Sequence, residues 1–243
     1  DPEVPLVVPE VNPQAILKHK GIIANPNCST IIMVMALKPI YDLAKIKRVI
    51  VSTYQAVSGA GKEGIDELDA QVRDHSEGRE MTANILPSAS AEKHYPIAFN
   101  LIPQIDVFCD NLYTKEEMKM VNETKKIMED YEMRITATTI RVPVYRSHSE
   151  SVNIELEKEV DLGAMREALA KFPGVTVQDD PSKQEYPMPL YTSEKDDVYV
   201  GRLRRDESCE KSYNIWVVGD QIRKGAALNT LQIAETMIKN GWI

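Results

Sequence analysis

The chain has 243 residues, of which 43% are hydrophobic and 27% are charged, with a formal net charge of -8. This composition can bury a sizeable core and excludes a disordered chain, and an acidic chain without charge runs argues against a general nucleic-acid binder. No apolar run approaches the roughly 20 residues that span a bilayer, and no signal-peptide pattern opens the sequence, so we predict a cytoplasmic protein with no membrane partner.

The first predicted elements lead to a polar motif. An extended lead-in over 1–12, a helical turn over 14–18 and a short buried strand over 21–25 precede Asn25-Pro26-Asn27-Cys28-Ser29-Thr30. An apolar run of helix length follows, and both Asn27 and Ser29 are good N-cap residues. Cys28 is therefore expected at a helix N-terminus, where the helix dipole favours a nucleophilic thiolate. The alternative is a small buried hydrophobe.

A strand, a small-residue loop and a helix follow in that order. Residues 48–54 are rich in β-branched side chains, which predicts a strand, and a helix is predicted over about 62–74. The loop between them contains Ser58-Gly59-Ala60-Gly61, which could place backbone N–H groups against an anion or a cofactor. A plain tight turn is the alternative, because the loop is not a Gly-x-Gly-x-x-Gly fingerprint.

The rest of the chain alternates strands and returning helices. Residues 75–103 are irregular and are interpreted as a surface excursion toward a partner subunit, and Thr114 caps a helix predicted to run to Tyr131. The later predicted elements are strands over 133–144 and 151–156, a helix over 161–172, strands over 197–204 and 212–218, and a final helix from about 225 to 240. This order predicts an α+β fold with a mixed, mainly antiparallel sheet.

The positions of the cysteines and histidines reduce the number of candidate catalytic residues. The three cysteines are Cys28, Cys109 and Cys209, whose wide spacing predicts neither a disulfide framework nor a metal site. Of the four histidines, three lie in polar segments that we expect to be exposed. His148 instead follows a predicted strand end, seven residues after Arg141.

The Asn-Pro-Asn-Cys-Ser-Thr motif and the spacing of Arg141 and His148 resemble the aspartate-semialdehyde dehydrogenase family, and the resemblance covers nearly the whole chain. It implies a glyceraldehyde-3-phosphate-dehydrogenase-like C-terminal domain with helices on one face of the sheet. It also implies remnants of a Rossmann-type domain at both termini. The expected divisions are the end of a dinucleotide-binding domain over 1–24, a catalytic and dimerisation domain over 25–219, and a C-terminal helix over 220–243 that returns to the first domain.

The resemblance also assigns roles to residues. It implies that Cys28 is the nucleophile and that His148 is the acid/base. The substrate-binding residues that it implies are Gln55, Arg141, Glu116, Lys119 and Asn27, and the cofactor-binding residues are Ser58, Gly59, Gln221 and Gly225. For Arg141 the alternative is a structural ion pair, and for Glu116 with Lys119 it is a solvated pair at i, i+3.

The reaction that the resemblance implies starts with attack of Cys28 on aspartyl phosphate. A thioester forms, NADPH reduces it, and aspartate semialdehyde leaves while His148 shuttles the proton, in the synthesis of lysine, threonine and methionine. A homodimer or a dimer of dimers is implied as well. The expected small-molecule partners are aspartyl phosphate, aspartate semialdehyde and inorganic phosphate.

The family's glycine-rich dinucleotide-binding domain is not found in this sequence. The chain alone is therefore expected to be inactive, with a final helix that is frayed or packs on a neighbouring chain. Two alternatives stay close to this interpretation: a related phosphorylating aldehyde dehydrogenase or acyl-phosphate reductase, and a dimerisation fragment without turnover. A cysteine hydrolase, which needs no cofactor, is the third.

Overall fold

The computed structural model describes residues 1–242, in which one sheet carries helices on one face. The helices are α1 (Cys28–Leu43), α2 (Lys62–Ser76), α3 (Lys115–Ile127), α4 (Leu162–Lys171), α5 (Pro189–Thr192) and α6 (Leu228–Asn240). The strands are β1 (Ile46–Gln55), β2 (Arg134–Arg141), β3 (His148–Leu156), β4 (Val175–Val177), β5 (Val198–Arg205) and β6 (Ser212–Gly219). Short 3₁₀ helices cover Pro13–Lys18, Val57–Ala60 and Pro181–Lys183, and a π-helical turn covers Arg223–Ala227.

The sheet is mixed and mainly antiparallel, as predicted. Its strand order is β2-β1-β3-β6-β5-β4. The pairs β1–β2 and β4–β5 are parallel, and the three central pairs are antiparallel. The sequence prediction missed β4, since three residues give too short a pattern to recognise.

The two faces of the sheet differ in burial. Helices α1, α3 and α4 pack on the face that carries Val49, Val51, Val152 and Ile154, all of which belong to the main core. The opposite face carries half-buried and exposed side chains that no helix of this core covers. We call it the open face, and it includes Ile50, Ser52, Tyr54, Ser151 and Trp216. The predicted arrangement with helices on one face is confirmed.

Helix α1 is apolar along most of its length, and its start places Cys28. Pro39 lies inside the helix, which continues to Leu43. This proline therefore does not end the helix. The prediction for α3 was right about the Thr114 cap, which forms a capping box with Glu117, but the helix ends at Ile127 rather than near Tyr131.

The predicted strand over 21–25 is wrong. Ala24 makes a single parallel bridge with Leu6, and Gly21 has a φ of 98° and is exposed, so the segment has no extended partner along its length. Residues 1–24 instead form a lead-in that contacts the end of the chain.

The final helix has a packing surface within this chain, so the expectation of a frayed helix is wrong, whereas packing on a neighbouring chain stays a prediction. Ile233 of α6 is buried in a small cluster with Val7, Ala15 and Ile16, and Met237 packs against the same cluster. The apolar stripe of an amphipathic helix needs one such surface to be stable. The lead-in and the Pro13–Lys18 turn supply it.

The irregular segment after α2 is held by two buried polar side chains. Gln71 Oε1 accepts from the N–H groups of Ile97 and Ala98 at 2.8 and 3.0 Å, and its Nε2 donates to Thr82 O at 2.9 Å. Glu67 Oε2 accepts from two further backbone N–H groups, those of residues 84 and 85. Because the segment has no ladder of its own, α2 provides its hydrogen bonds.

Replacing Gln71 by Ala should destabilise this segment. The change leaves two buried N–H groups and one carbonyl unpaired, and we expect it to lower the free energy of unfolding by about 2 kcal/mol or more. Urea unfolding measures this loss, and amide hydrogen exchange at Ile97 and Ala98 locates it. Arg73→Ala, an exposed change on the same helix, is the control. Equal stability of the two variants would contradict the anchoring role of Gln71.

Candidate active site

Cys28 is the first residue of α1, and the residue before it is bound to α3. Asn27 caps the helix, because its Oδ1 accepts from the Thr30 N–H at 3.1 Å. Its Nδ2 donates to Glu116 Oε1 at 2.8 Å, and its backbone N–H donates to Glu123 Oε2 at 2.7 Å. The predicted cap is confirmed, and it fixes the start of the helix at Cys28.

The protonation state of Cys28 differs from the expectation. Burial, and after it the Glu116 carboxylate, raise the pKa of the Cys28 thiol to about 12. Hydrogen bonds from Ser29 and the charge of Arg141 lower the pKa, but by less. The thiol is therefore the form at neutral pH, and the predicted resting thiolate is wrong because desolvation outweighs the helix terminus.

Glu116 joins three of the predicted site residues. Its buried carboxylate accepts from Asn27 through Oε1, and from Gln55 Nε2 at 3.2 Å through the same oxygen. Its Oε2 lies 3.5 Å from Lys119 Nζ, which also contacts Asp106 Oδ2 at 3.2 Å. Burial lowers the pKa of Lys119, but the two carboxylates outweigh it and the net shift is upward. Lys119 is thus a cation on α3, the helix that packs against α1.

Arg141 is the last residue of β2 and pairs in register with Gln55, the last residue of β1. Its guanidinium is buried, and Nη1 donates to Ala56 O at 2.7 Å. Its Nε has no hydrogen-bond partner within residues 1–242. Burial lowers the pKa of Arg141, although a guanidinium stays protonated in proteins. No ion pair to Arg141 occurs in the described part of the chain, which disfavours the structural ion-pair alternative.

His148 is the first residue of β3, not part of the loop before it. Its Nδ1 accepts from the Ala56 N–H at 3.1 Å, so the proton of the neutral ring lies on Nε2. This Nε2 is buried and has no partner among the residues that the structure describes. Burial, and after it the charge of Arg141, hold the pKa of His148 well below its usual range. The ring is a neutral donor with its N–H free for a ligand.

Two glycines let backbone approach these side chains closely. A Cβ atom on Gly59 would lie 2.6 Å from Arg141 Nη1 and 3.2 Å from His148 Cε1. A Cβ atom on Gly225 would lie 2.8 Å from Cys28 Cβ. Any side chain at either position would displace a candidate catalytic group.

A buried hydrogen-bond chain links the residues predicted to bind the cofactor. The Gln221 Nε2 donates to Ser58 Oγ, and Gln221 Oε1 accepts from the Ser147 N–H at 2.9 Å. Ser58 precedes Gly59, and Gln221 lies close to Gly225. Through this chain the four predicted cofactor residues are linked to one another, with Gly59 close to His148 and Gly225 close to Cys28.

A cleft of about 280 Å³ opens beside this cluster. Four of the predicted site residues line it: Gly59, Glu116, Lys119 and Arg141. The remaining lining residues, part of which belong to the irregular segment after α2, are Ala60, Glu63, Ile85, Pro87, Ser88, Ala89, Ile105 and Asp106. Two cations and three carboxylates line the cleft, and Lys119 is paired with two of these carboxylates. Arg141 is the lining cation without a carboxylate partner in residues 1–242, which suits an anionic ligand.

Sequence reasoning missed several groups of the site. Glu123 lies seven residues after Glu116, so both fall on one helix face, and this spacing could have revealed it. Burial raises the pKa of the Glu123 carboxyl. The backbone of Ala56, which contacts both Arg141 and His148, gives no sequence signal because any residue could supply these groups.

Comparison with known proteins places this geometry in a family. The model of the semialdehyde dehydrogenase dimerisation domain matches residues 37–224. The aspartate-semialdehyde dehydrogenase of Aquifex aeolicus is 55% identical over 245 residues, which cover 100% of this chain and 70% of that relative. The chain belongs to the aspartate-semialdehyde dehydrogenase family. The relative from Synechocystis is 50% identical over 242 residues, with the same two coverages of 100% and 70%.

Solved structures of the family support the same assignment. Aspartate semialdehyde dehydrogenase II from Vibrio cholerae, complexed with ASA, superposes with a TM-score of 0.92 and 46% identity. The match covers 98% of this chain and 69% of that one. The Candida albicans enzyme, solved with NADP, has a TM-score of 0.73 but only 24% identity, so it shows the fold alone.

Two absences can be stated for residues 1–242. No helix there is long and apolar enough to cross a membrane. No group of three or more His, Cys, Asp or Glu side chains in that range could hold a metal ion.

Replacing Glu116 by Gln should increase the reactivity of Cys28. The change removes a negative charge that raises the thiol pKa, so the pKa should fall below about 12. At pH 8 we expect faster alkylation by iodoacetamide, because the thiolate is the reactive form. Peptide mass spectrometry separates Cys28 from the other two cysteines. Glu132→Gln, an exposed change of the same charge, is the control, and equal rates in both variants would contradict the effect of Glu116.

Proposed function

We propose that this chain carries the catalytic residues for NADP-dependent reductive dephosphorylation of aspartyl 4-phosphate to aspartate 4-semialdehyde, a step toward lysine, threonine and methionine. The observation that carries the proposal is the placement of Gly59 against Arg141 and His148 and of Gly225 against Cys28, in a member of this family. A related acyl-phosphate reductase would share this chemistry. The family match favours aspartyl phosphate over the other substrates.

Substrate binding is assigned to the cations of the cleft. Arg141 has a buried guanidinium with a free Nε, and its planar fork suits the α-carboxylate of the substrate. Lys119 is a half-exposed point charge at the mouth of the same cleft, which suits phosphate. Gln55 and Asn27 already share Glu116 Oε1, so this carboxylate holds both amides toward the nucleophile.

The bond changes take place at the Cys28 sulfur. A sulfur–carbon bond forms to the β-acyl carbon, the carbon–oxygen bond to phosphate breaks, and the thiol proton leaves with the phosphate. The nicotinamide cofactor, when bound, supplies the hydride that reduces the resulting thioester. The carbon–sulfur bond then breaks, the aldehyde leaves, and the Cys28 sulfur takes up a proton from solvent to return to the thiol. Since the resting thiol has a pKa of about 12, loss of its proton has to accompany attack.

The residues at the site fit a flat cofactor ring. Gly59 and Gly225 leave backbone exposed where a Cβ would meet His148 and Cys28, and the Ser58–Gln221 bond closes one side of the cluster. We assign these four residues to the nicotinamide end of NADP. Preference for NADP over NAD rests on the family resemblance.

His148 is assigned to the oxygen that gains charge when the thioester is reduced. Its neutral Nε2–H has no partner in residues 1–242, and a donor fixed in place at such an oxygen stabilises the developing charge. The bond from the Ala56 N–H to Nδ1 supports the donor half of the expected proton shuttle. For His148 to accept a proton, the hydrogen bond from Ala56 to Nδ1 would have to break. Proton acceptance by His148 therefore stays a prediction.

A homodimer formed through the open face of the sheet is also part of the proposal. The matching family model is that of a dimerisation domain. The open face carries apolar and small polar side chains, including Tyr54 and Trp216, whose rings lie 5.6 Å apart between centroids. A mixed apolar surface of this kind is typical of subunit interfaces.

Introducing a charge at the centre of the open face should separate the subunits. Ser151 is exposed on a central strand, and we expect Ser151→Arg to shift the protein from dimer to monomer in light scattering. Glu207→Arg, in the exposed loop between β5 and β6, is the control. A dimer that persists in Ser151→Arg at low micromolar concentration would exclude this face as the interface.

The proposed chemistry predicts the kinetics of two variants in the full-length enzyme. Formation of NADPH from aspartate semialdehyde, NADP and phosphate should be lost in Cys28→Ala and fall by about 10²-fold or more in His148→Ala. Cys109→Ala and Cys209→Ala should keep full activity. Full activity of Cys28→Ala would refute the mechanism. Release of free acid from the acyl phosphate without NADPH would instead support a hydrolase.

A further inference from the structure

Lys224 is a buried cation to which the proposed reaction gives no role. Its side chain is 1% exposed. Its Nζ donates to Glu10 Oε2 at 2.6 Å, Gln232 Oε1 at 2.7 Å and Asn229 Oδ1 at 3.1 Å, so all three protons have acceptors. Desolvation largely offsets the attraction within a buried ion pair. An apolar side chain in place of Lys224 could therefore give the protein the same stability as the ion pair.

The acceptors of Lys224 come from the two ends of the chain and continue to the nucleophile motif. Glu10 belongs to the lead-in, and Asn229 belongs to α6. Asn229 Nδ2 also donates to Val7 O at 2.9 Å and to Asn25 Oδ1 at 2.8 Å. The Nδ2 of Asn25 lies 3.4 Å from Gly225 O. This polar network therefore joins Lys224 to the first residue of the Asn-Pro-Asn-Cys motif.

The residue after Lys224 is the one that contacts the nucleophile. Gly225 and Ala227 donate their N–H groups five residues back, to Asp220 O at 3.2 Å and Ile222 O at 2.9 Å, which is the π-helical pattern. Such single wide turns are rare and occur often at functional sites. Here the turn brings the Gly225 backbone so close that a Cβ would lie 2.8 Å from Cys28 Cβ.

We propose that Lys224 is a positioning residue for the nucleophile. By holding the π-helical turn to Glu10 and α6, it keeps the Gly225 backbone and the Asn25 side chain against Cys28. Loss of the ammonium removes the charged group of the turn that binds both the lead-in and α6, and the turn moves away from the sulfur. The inference rests on the proposed role of Cys28.

The test compares Lys224→Met with the parent in the full-length enzyme. We expect kcat to fall by about 10-fold or more, since misplacing a reacting group by about 1 Å can cost 10²-fold. The KM for phosphate should change by less than about twofold, because Lys119 and Arg141, which would bind the anions, lie outside the Lys224 network. The rate of Cys28 alkylation by iodoacetamide, read by peptide mass spectrometry, should change together with kcat.

Arg166→Met is the matched control. Arg166 also pairs with a buried carboxylate, Asp179 at 2.8 Å, but it does so between α4 and the segment that follows β4. We expect this variant to lose stability while keeping kcat and the alkylation rate of Cys28. If Lys224→Met behaved in the same way as Arg166→Met, Lys224 would be structural only and the inference would be overturned.

Glu10→Gln is the second test variant, for use if Lys224→Met fails to fold. This variant removes the ion pair but keeps an amide oxygen for Lys224, and it should lower kcat by about threefold with a matching change in alkylation, since bonds to charged groups are stronger than neutral ones. Unchanged values in the folded variant would overturn the inference. Cys28→Ala separates the two hypotheses: its full activity refutes the proposed function, whereas its loss beside an unaffected Lys224→Met refutes only the positioning role.

Discussion

The burial of helix α1 on nearly all sides is the constraint on which the site depends. Eleven of its sixteen residues are buried, including the whole run from Ser29 to Leu37. A helix packed in this way cannot slide or turn without opening cavities, which cost several kcal/mol. Its first residue therefore has a fixed place. The Asn27 cap, the Glu116 carboxylate and the Gly225 backbone can then be arranged around the Cys28 sulfur.

Local patterns in the sequence were sufficient to predict single helices, strands and motifs. The cap at Asn27, the capping box at Thr114 and the spacing of Arg141 and His148 are all short-range features, and each is visible in the sequence. The pKa of Cys28 is not, because it depends on which residues from α3 and β2 cover the sulfur. The same holds for the partner of α6, since the contact between Ile16 and Ile233 joins the two ends of the chain.

A second buried group shows how apolar the surroundings of His148 are. Glu150 lies two residues along β3, on the same face, and pairs in register with Thr53 and Val217. Both of its carboxyl oxygens are buried without a partner in residues 1–242, and burial raises the pKa of Glu150 well above its usual range. Neither carboxyl oxygen of Glu150 is hydrogen-bonded to the His148 ring, so this group does not stabilise an imidazolium as a paired carboxylate would. The sheet beneath His148 therefore favours the neutral ring.

The backbone of Ala56 connects Arg141 and His148. Its carbonyl accepts from Arg141 and its N–H donates to His148, so one residue after β1 sets the direction of both side chains. The positive charge of Arg141 is the second reason, after burial, for the low pKa of His148. The guanidinium thus has two effects: it offers a site for a carboxylate, and it keeps the neighbouring imidazole neutral. A neutral imidazole with its proton on Nε2 can act as a hydrogen-bond donor at pH 7, which is what the proposed reduction requires at the thioester oxygen.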